Sequence, residues 1–229
     1  MGTDNGILIY NYRTDRYEQP ATDFPTDVRT MALQGDTLWI GALNGLYTYQ
    51  LQNRKLSPLD TKRNGLPHNT IYSIIRTGDN QIYVGTYNGL CRYIASNEKF
   101  EKIPLPVNSS QSNLFVNSLL EDTGRQCIWI GTEGYLFQYF PSTGQMKQTE
   151  AFHNNSIKSL ALDGNGDLLA GTDNGLYVYH NDVTPLQHII HDSRNIQSLT
   201  NNIIWNIFAD QEHNIWLGTD YGISLSRYN

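Results

Sequence analysis

The stretch GTDNGLYVY, residues 171–179, decides the architecture, because the chain writes nearly the same nine residues six times. Similar words begin at Gly2 (GTDNGILIY), Gly41 (GALNGLYTY), Gly85 (GTYNGLCRY), Gly131 (GTEGYLFQY) and Gly218 (GTDYGISLS). Between first glycines the spacings are 39, 44, 46, 40 and 47 residues, a period typical of propeller blades. A two-residue hairpin whose strands twist to the right needs positive φ at its central residues, which Asn-Gly supplies at low cost. The repeated word is therefore a structural fastener. Two copies depart from it: 131–139 reads as one residue short, with Tyr135 where the others have glycine, and Tyr221 replaces the asparagine. Such departures are where function can hide.

Working outward, residues 70–104 are the clearest period. TIYSIIRT (70–77), IYVGT (82–86), LCRYIA (90–95) and KFEKIP (99–104) are β-branched and apolar runs separated by short turns, so each period predicts four strands. No helical stripe of useful length occurs. The expected fold is all-β, a propeller of repeated four-stranded antiparallel blades, about five of them; the terminal strands either combine into a fifth blade that closes a ring or, the favoured reading, stay open as a partial ring of a larger propeller. Four complete blades are expected at 27–59, 70–104, 114–149 and 156–190. Partial blades are expected at 1–26 (GILIYNY, RYEQP) and 202–229 (ending in GISLSRY), within one propeller segment. Exposed strand edges in such a segment invite pairing with a second copy, so a homodimer is an expected partner state. Trp39, Tyr83, Trp129, Leu169 and Trp216 share one register and should pack one blade against the next.

Composition narrows the function classes. A net charge of -6 with 17% charged residues leaves no basic stripe for phosphates, which argues against nucleic acid and anionic membrane surfaces. Cys91 and Cys127 lie in predicted strands of different repeats and read as small buried hydrophobes. In HIIH (188–191) the two histidines would point to opposite faces of a strand, which disfavours a shared metal. The glycines of DGNGD (163–167) lack the helix and lysine of a phosphate loop. Glu121 and Asp122 are adjacent and face opposite ways, unlike a glycosidase pair. Asp122, Asp163 and Asp210 recur at one turn and read as turn caps. No cofactor and no catalytic residue is expected. Lys158 with Glu133 is the one pair that an enzyme reading would test.

Variation within one register points to a binding face. Aligning VRTM, IYSI, VNSL, IKSL and IWNI brings Arg29, Tyr72, Asn117, Lys158 and Trp205 into the same first-strand position, near the expected channel mouth. Donors, acceptors and aromatic faces together suit a saccharide, whose hydroxyls need polar partners and whose ring face needs Trp or Tyr. The alternative is that these are tolerant, half-exposed positions. Turn-tip residues Tyr87, Glu133, Tyr135 and Tyr221 belong to the same face as weaker candidates, and His68 on the GLPHN connection reads more simply as a solvated loop histidine than as an addition to them.

NGLPHNTIYSIIRTGDNQIYVGTYNGLCRY (64–93) and SLTNNIIWNIFADQEHNIWLGTDYGISLSRY (198–228) resemble the two-component regulator propeller repeat. The first carries its GLP-x-N entry, and both carry its short turn and an aromatic-aliphatic-G-T-x-x-G-aliphatic ending, YVGTYNGL and WLGTDYGI. The resemblance implies a periplasmic propeller in the sensor region of a hybrid two-component regulator, which recognises an oligosaccharide and relays it to a histidine kinase in the same parent chain. An interaction scaffold and, less so, a polysaccharide lyase or glycosidase are the competing readings.

Overall fold

The computed structural model describes residues 1–18, 24–106, 114–149, 155–180 and 187–226. The last residues of RYEQP and of GISLSRY fall outside them. Alternating runs form strands that pair with their sequence neighbours as antiparallel meanders. By internal packing the chain divides into two units, Met1–Val116 and Asn117–Asn229.

In the first unit β1 (Gly2–Thr3) pairs with β2 (Gly6–Ile7), and β3 (Ile9–Asn11) with β4 (Arg16–Glu18). A four-stranded sheet follows, β5 (Val28–Gln34), β6 (Thr37–Ala42), β7 (Gly45–Gln50) and β8 (Lys55–Leu59). One helical turn, α1 (Thr61–Asn64), is capped by the Asp60 carboxylate accepting from the Arg63 N–H. It leads to a second four-stranded sheet, β9 (Ile71–Arg76), β10 (Ile82–Thr86), β11 (Gly89–Ile94) and β12 (Lys99–Ile103).

The second unit holds a sheet of β13 (Val116–Asp122), β14 (Cys127–Thr132), β15 (Leu136–Phe140) and β16 (Gln145–Gln148). The next contains β17 (Ile157–Leu162), β18 (Leu168–Thr172), β19 (Gly175–Tyr179) and β20 (Gln187–Ile189). A three-stranded sheet of β21 (Ile204–Ala209), β22 (Ile215–Thr219) and β23 (Gly222–Ser226) follows. All four-stranded sheets are simple antiparallel meanders, as the repeat predicts.

The fastener works differently from the expectation. Thr86 pairs with Gly89, and the left-handed backbone falls on Gly89 alone (φ 99), not on Asn88. This is a turn closed by a glycine bulge, a three-residue solution that also matches strand twist. The Thr86 hydroxyl donates to the Gly89 carbonyl at 2.9 Å and accepts the Asn88 N–H at 3.0 Å. Thr172 repeats both bonds with Gly175 and Asn174. Threonine is thus the second half of the fastener. The 131–139 copy is also corrected: Gly131 pairs with Leu136 as Gly85 pairs with Leu90, so the hairpin has full length. Its glycine has moved back one place, to Gly134 (φ 85).

The glycine that opens each word is a socket. A Cβ on Gly41 would lie 2.5 Å from Ile71 Cγ2, and one on Gly85 would lie 2.6 Å from Val116 Cγ1. In the second unit the corresponding intruders are Ile157 on Gly131 (2.5 Å) and Ile204 on Gly171 (2.6 Å). The next sheet's first strand enters there, so the backbones approach more closely than any side chain allows. Beside three of these sockets a small polar residue joins the sheets: Thr30 accepts the Ile74 N–H at 3.2 Å, Ser73 donates to the Val116 carbonyl at 3.1 Å and Ser159 accepts the Ile207 N–H at 3.0 Å. The aromatic register packs as expected. Trp39 is buried with Ile71 and Ile74, Trp129 with Ile157 and Leu160, and Leu169 with Ile204 and Ile207. Trp216 is the exception, at 38% exposure.

Both cysteines are buried thiols outside any disulfide, and burial pushes the Cys91 thiol well up, away from reactivity. Asp122, Asp163 and Asp210 do cap their turns, accepting the backbone N–H groups of Arg125, Asn165 and Glu212. Two of them also hold the tryptophan register: Trp129 donates to Asp122 at 3.0 Å and Trp216 to Asp210 at 2.9 Å.

Candidate functional site

The variable register owes its geometry to a repeated irregularity. In β5, Val28 pairs with Ala42 and Thr30 with Gly41, leaving Arg29 without an opposite residue. Tyr72, Lys158 and Trp205 stand in the same position, between Ile71 and Ser73, Ile157 and Ser159, and Ile204 and Asn206. Each is the extra residue of a β-bulge, which bends the strand and turns its side chain away from the alternating faces. The scaffold requires the neighbours on both sides, the seated Val or Ile and the small polar residue. The bulged residue is not bound by that requirement, which explains why it varies.

In the first unit the bulge face is aromatic. Tyr72 lies 6.0 Å from Phe115, Phe115 lies 4.3 Å from the turn-tip Tyr87, and Tyr87 lies 4.8 Å from His68 between ring centroids. All four rings are half-buried, leaving part of each accessible. The GLPHN connection is pinned beneath them. Thr70 donates its backbone N–H to His68 Nδ1 at 3.0 Å, its carbonyl accepts the Tyr87 N–H at 3.0 Å, and its hydroxyl donates to the Leu43 carbonyl at 3.0 Å. With Nδ1 accepting, the neutral imidazole carries its proton on Nε2. Arg29 is exposed.

In the second unit the same register builds a polar and a charged group. Asn117 donates from Nδ2 to Ser156 Oγ at 3.0 Å, and Ser156 Oγ donates to Glu133 Oε1 at 3.3 Å. This links a bulge-register residue to a turn tip. The Ser156 N–H is held by Asp173 Oδ1 at 3.1 Å. Lys158 Nζ sits 4.5 Å from the centroid of the Trp205 ring, and the indole N–H of Trp205 donates to Asp220 Oδ1 at 2.5 Å. The ring is fixed at its edge and carries a cation on one face, while 56% of the residue stays exposed. Tyr135 stacks on Phe137 at 5.8 Å, and Tyr221 is exposed at the tip of the β22–β23 hairpin.

Lys158 and Glu133 are therefore engaged with different partners, the first with Trp205 and the second with Ser156. Of the histidine pair, His188 stacks on Tyr177 at 4.1 Å and bonds the Asn174 carbonyl, while His191 bonds the Leu199 carbonyl. Phe115, Ser156 and Asp220 were not singled out from sequence. A signal for the first two exists: Thr70, Phe115 and Ser156 all stand two residues before the bulge, a second register that varies between copies.

Comparisons with known proteins agree with this architecture. The sequence model of the two component regulator propeller family matches residues 65–88 and 198–221. Two crystal structures of the BT4673 extracellular domain from B. thetaiotaomicron are 92% identical over 100% of this chain, with a TM-score of 0.97. They are described as belonging to a hybrid two component system and, in the other case, a one component system. The extracellular domain of BT3049 from the same organism is 21% identical with a TM-score of 0.75, which speaks for the fold alone. Histidine kinase P4 of Formosa agariphila is 28% identical over 260 residues. The chain spans 31% of the BT4673 structures and 18% of the Formosa kinase.

Proposed function

We propose that this chain, which carries two component regulator propeller repeats, is a ligand-sensing segment of the extracytoplasmic sensor region of a hybrid two-component regulator. Its ligand is an oligosaccharide met by the bulge face, and its output passes through the parent chain to a histidine kinase. The likeness to the BT4673 extracellular domain supports the placement outside the cytoplasm, in the periplasm.

The observation that carries the ligand class is the pairing of an anchored, half-open aromatic ring with nearby donors and acceptors. Trp205 is held by Asp220 and Lys158, and the same unit carries the linked Asn117, Ser156 and Glu133 group. A pyranose presents an apolar face to such a ring and hydroxyls to such a polar group. Tyr72, Phe115, Tyr87 and His68 offer a second aromatic surface, with Arg29 on the same register. Tyr135 and Tyr221 add turn-tip residues to the proposed surface of the second unit. No bond-breaking is proposed: binding shifts packing and the kinase reads it.

Calorimetric titration of the chain with a panel of plant and host oligosaccharides tests this. Binding is expected for one glycan class and to weaken at least tenfold in Trp205→Ala or Tyr72→Ala, with the fold intact by circular dichroism. Binding unaffected by both substitutions would remove the bulge face from consideration.

A further inference from the structure

Gly218 breaks the pattern of occupied sockets. It stands in β22 where Gly171 stands in β18, and it pairs with Asn206 as Gly171 pairs with Ser159. Yet a Cβ added there would find nothing nearer than the Asn206 carbonyl at 3.8 Å. The cross-strand row beside it, Phe208, Trp216 and Leu225, is 63%, 38% and 41% exposed, and Ile223 is 66% exposed. The equivalent row of the preceding sheet, Ala161, Leu169 and Val178, is 8%, 4% and 9% exposed, because Ile204, Ile207 and Leu217 cover it. Two aromatics and two branched aliphatics on one face form an apolar patch that a soluble chain does not normally leave in water.

We propose that this face is the docking surface for a further blade of the same repeat register, supplied by the longer parent chain. The socket specifies its occupant. In the occupied cases the seated residue is β-branched, and in two of them, one in each unit, the N–H three positions later meets the small polar residue beside the glycine. Ile71 on Gly41 is followed by the Ile74 N–H on Thr30, and Ile204 on Gly171 by the Ile207 N–H on Ser159. The incoming first strand therefore seats a Val or Ile on Gly218 and turns an N–H three residues on toward the Asn206 side chain. A chain spanning 31% of its 92%-identical relative leaves ample sequence for such a blade.

The bulged residue of that strand, one position after the seated one, comes beside Trp205 as Trp205 comes beside Lys158. The new blade thus adds a wall to the site at Trp205. This last consequence rests on the proposed saccharide site, whereas the docking surface does not.

The test compares Gly218→Val with Gly171→Val, in this 229-residue chain and in the longer extracellular chain that contains it. Neither glycine has left-handed backbone, so valine is compatible with both strands. Gly171→Val lowers Tm in both chains, by roughly 3–10 °C. Gly218→Val does so only in the longer chain, where Trp216 emission, isolated by difference with Trp216→Phe, is also blue-shifted relative to the short chain. A longer chain indifferent to Gly218→Val overturns the proposal. So does a short chain that light scattering finds dimeric and that Gly218→Val makes monomeric, since a second copy would then be the occupant. No ligand enters the measurement, so the outcome is independent of the saccharide reading.

Discussion

Asp122 and Asp210 each join two structural tasks, closing a turn through its backbone N–H groups and anchoring a tryptophan indole. Burial pushes the Asp122 carboxyl up, but the Trp129 indole and the backbone and guanidinium of Arg125 outweigh it and hold the group below the ordinary carboxylate range. Removing it in Asp122→Ala strands the buried Trp129 indole N–H and takes one partner from the Arg125 guanidinium, which also donates to the Gly166 and His180 carbonyls, and about 2 kcal/mol of stability should be lost in urea unfolding. At Asp210 the Trp216 indole and then the Asn214 amide hold the carboxyl at about 2, against 3.8 in an unfolded chain. A depressed acid contributes stability that is present above pH 4 and lost as pH falls through the folded value. Asp210→Asn should therefore flatten the fall in Tm between pH 4 and pH 2, while changing its slope little above pH 5. The caps were legible because they are local, an aspartate accepting from residues two or three along. The indole bonds were not, because Trp129 reaches Asp122 only once β13 and β14 pair.

At the scale of the element, the hairpin fastener and the glycine socket have separable costs. Thr86→Val keeps the β-branched shape and removes the hydroxyl that serves Gly89 and Asn88, so a loss of about 1 kcal/mol is expected from denaturant midpoints. Gly85→Ala drives a methyl into Ser73 and Val116, and about 1–3 kcal/mol should be lost. If the alanine variant instead matches the parent, the socket is looser than the side-chain distances indicate. The four-stranded meander was readable from period and turn residues alone. The bulge was not, since one unpaired residue leaves the apolar pattern on both sides in place. What the sequence did offer was its effect, one position free to differ in every copy.

For the molecule as a whole, a charge of -6 spread over few ionised groups sets its colloidal behaviour. With a pI near 5.4 and bare apolar side chains on β21–β23, light scattering should rise sharply around pH 5.4 and fall again by pH 8. A Phe208→Lys variant should scatter less at the same distance from its own pI. The sequence by itself determined the repeat, the strand content and the blade as unit, because these follow from short-range periodicity and turn chemistry. It also marked Arg29, Tyr72, Asn117, Lys158 and Trp205 as a set. Only the tertiary structure decided which of them meet, Lys158 over Trp205 and Asn117 through Ser156 to Glu133, and which rings gather around Tyr87. Those contacts join residues of different repeats. Their distances depend on how one sheet seats in the glycine sockets of the next, a packing outcome that no local pattern encodes.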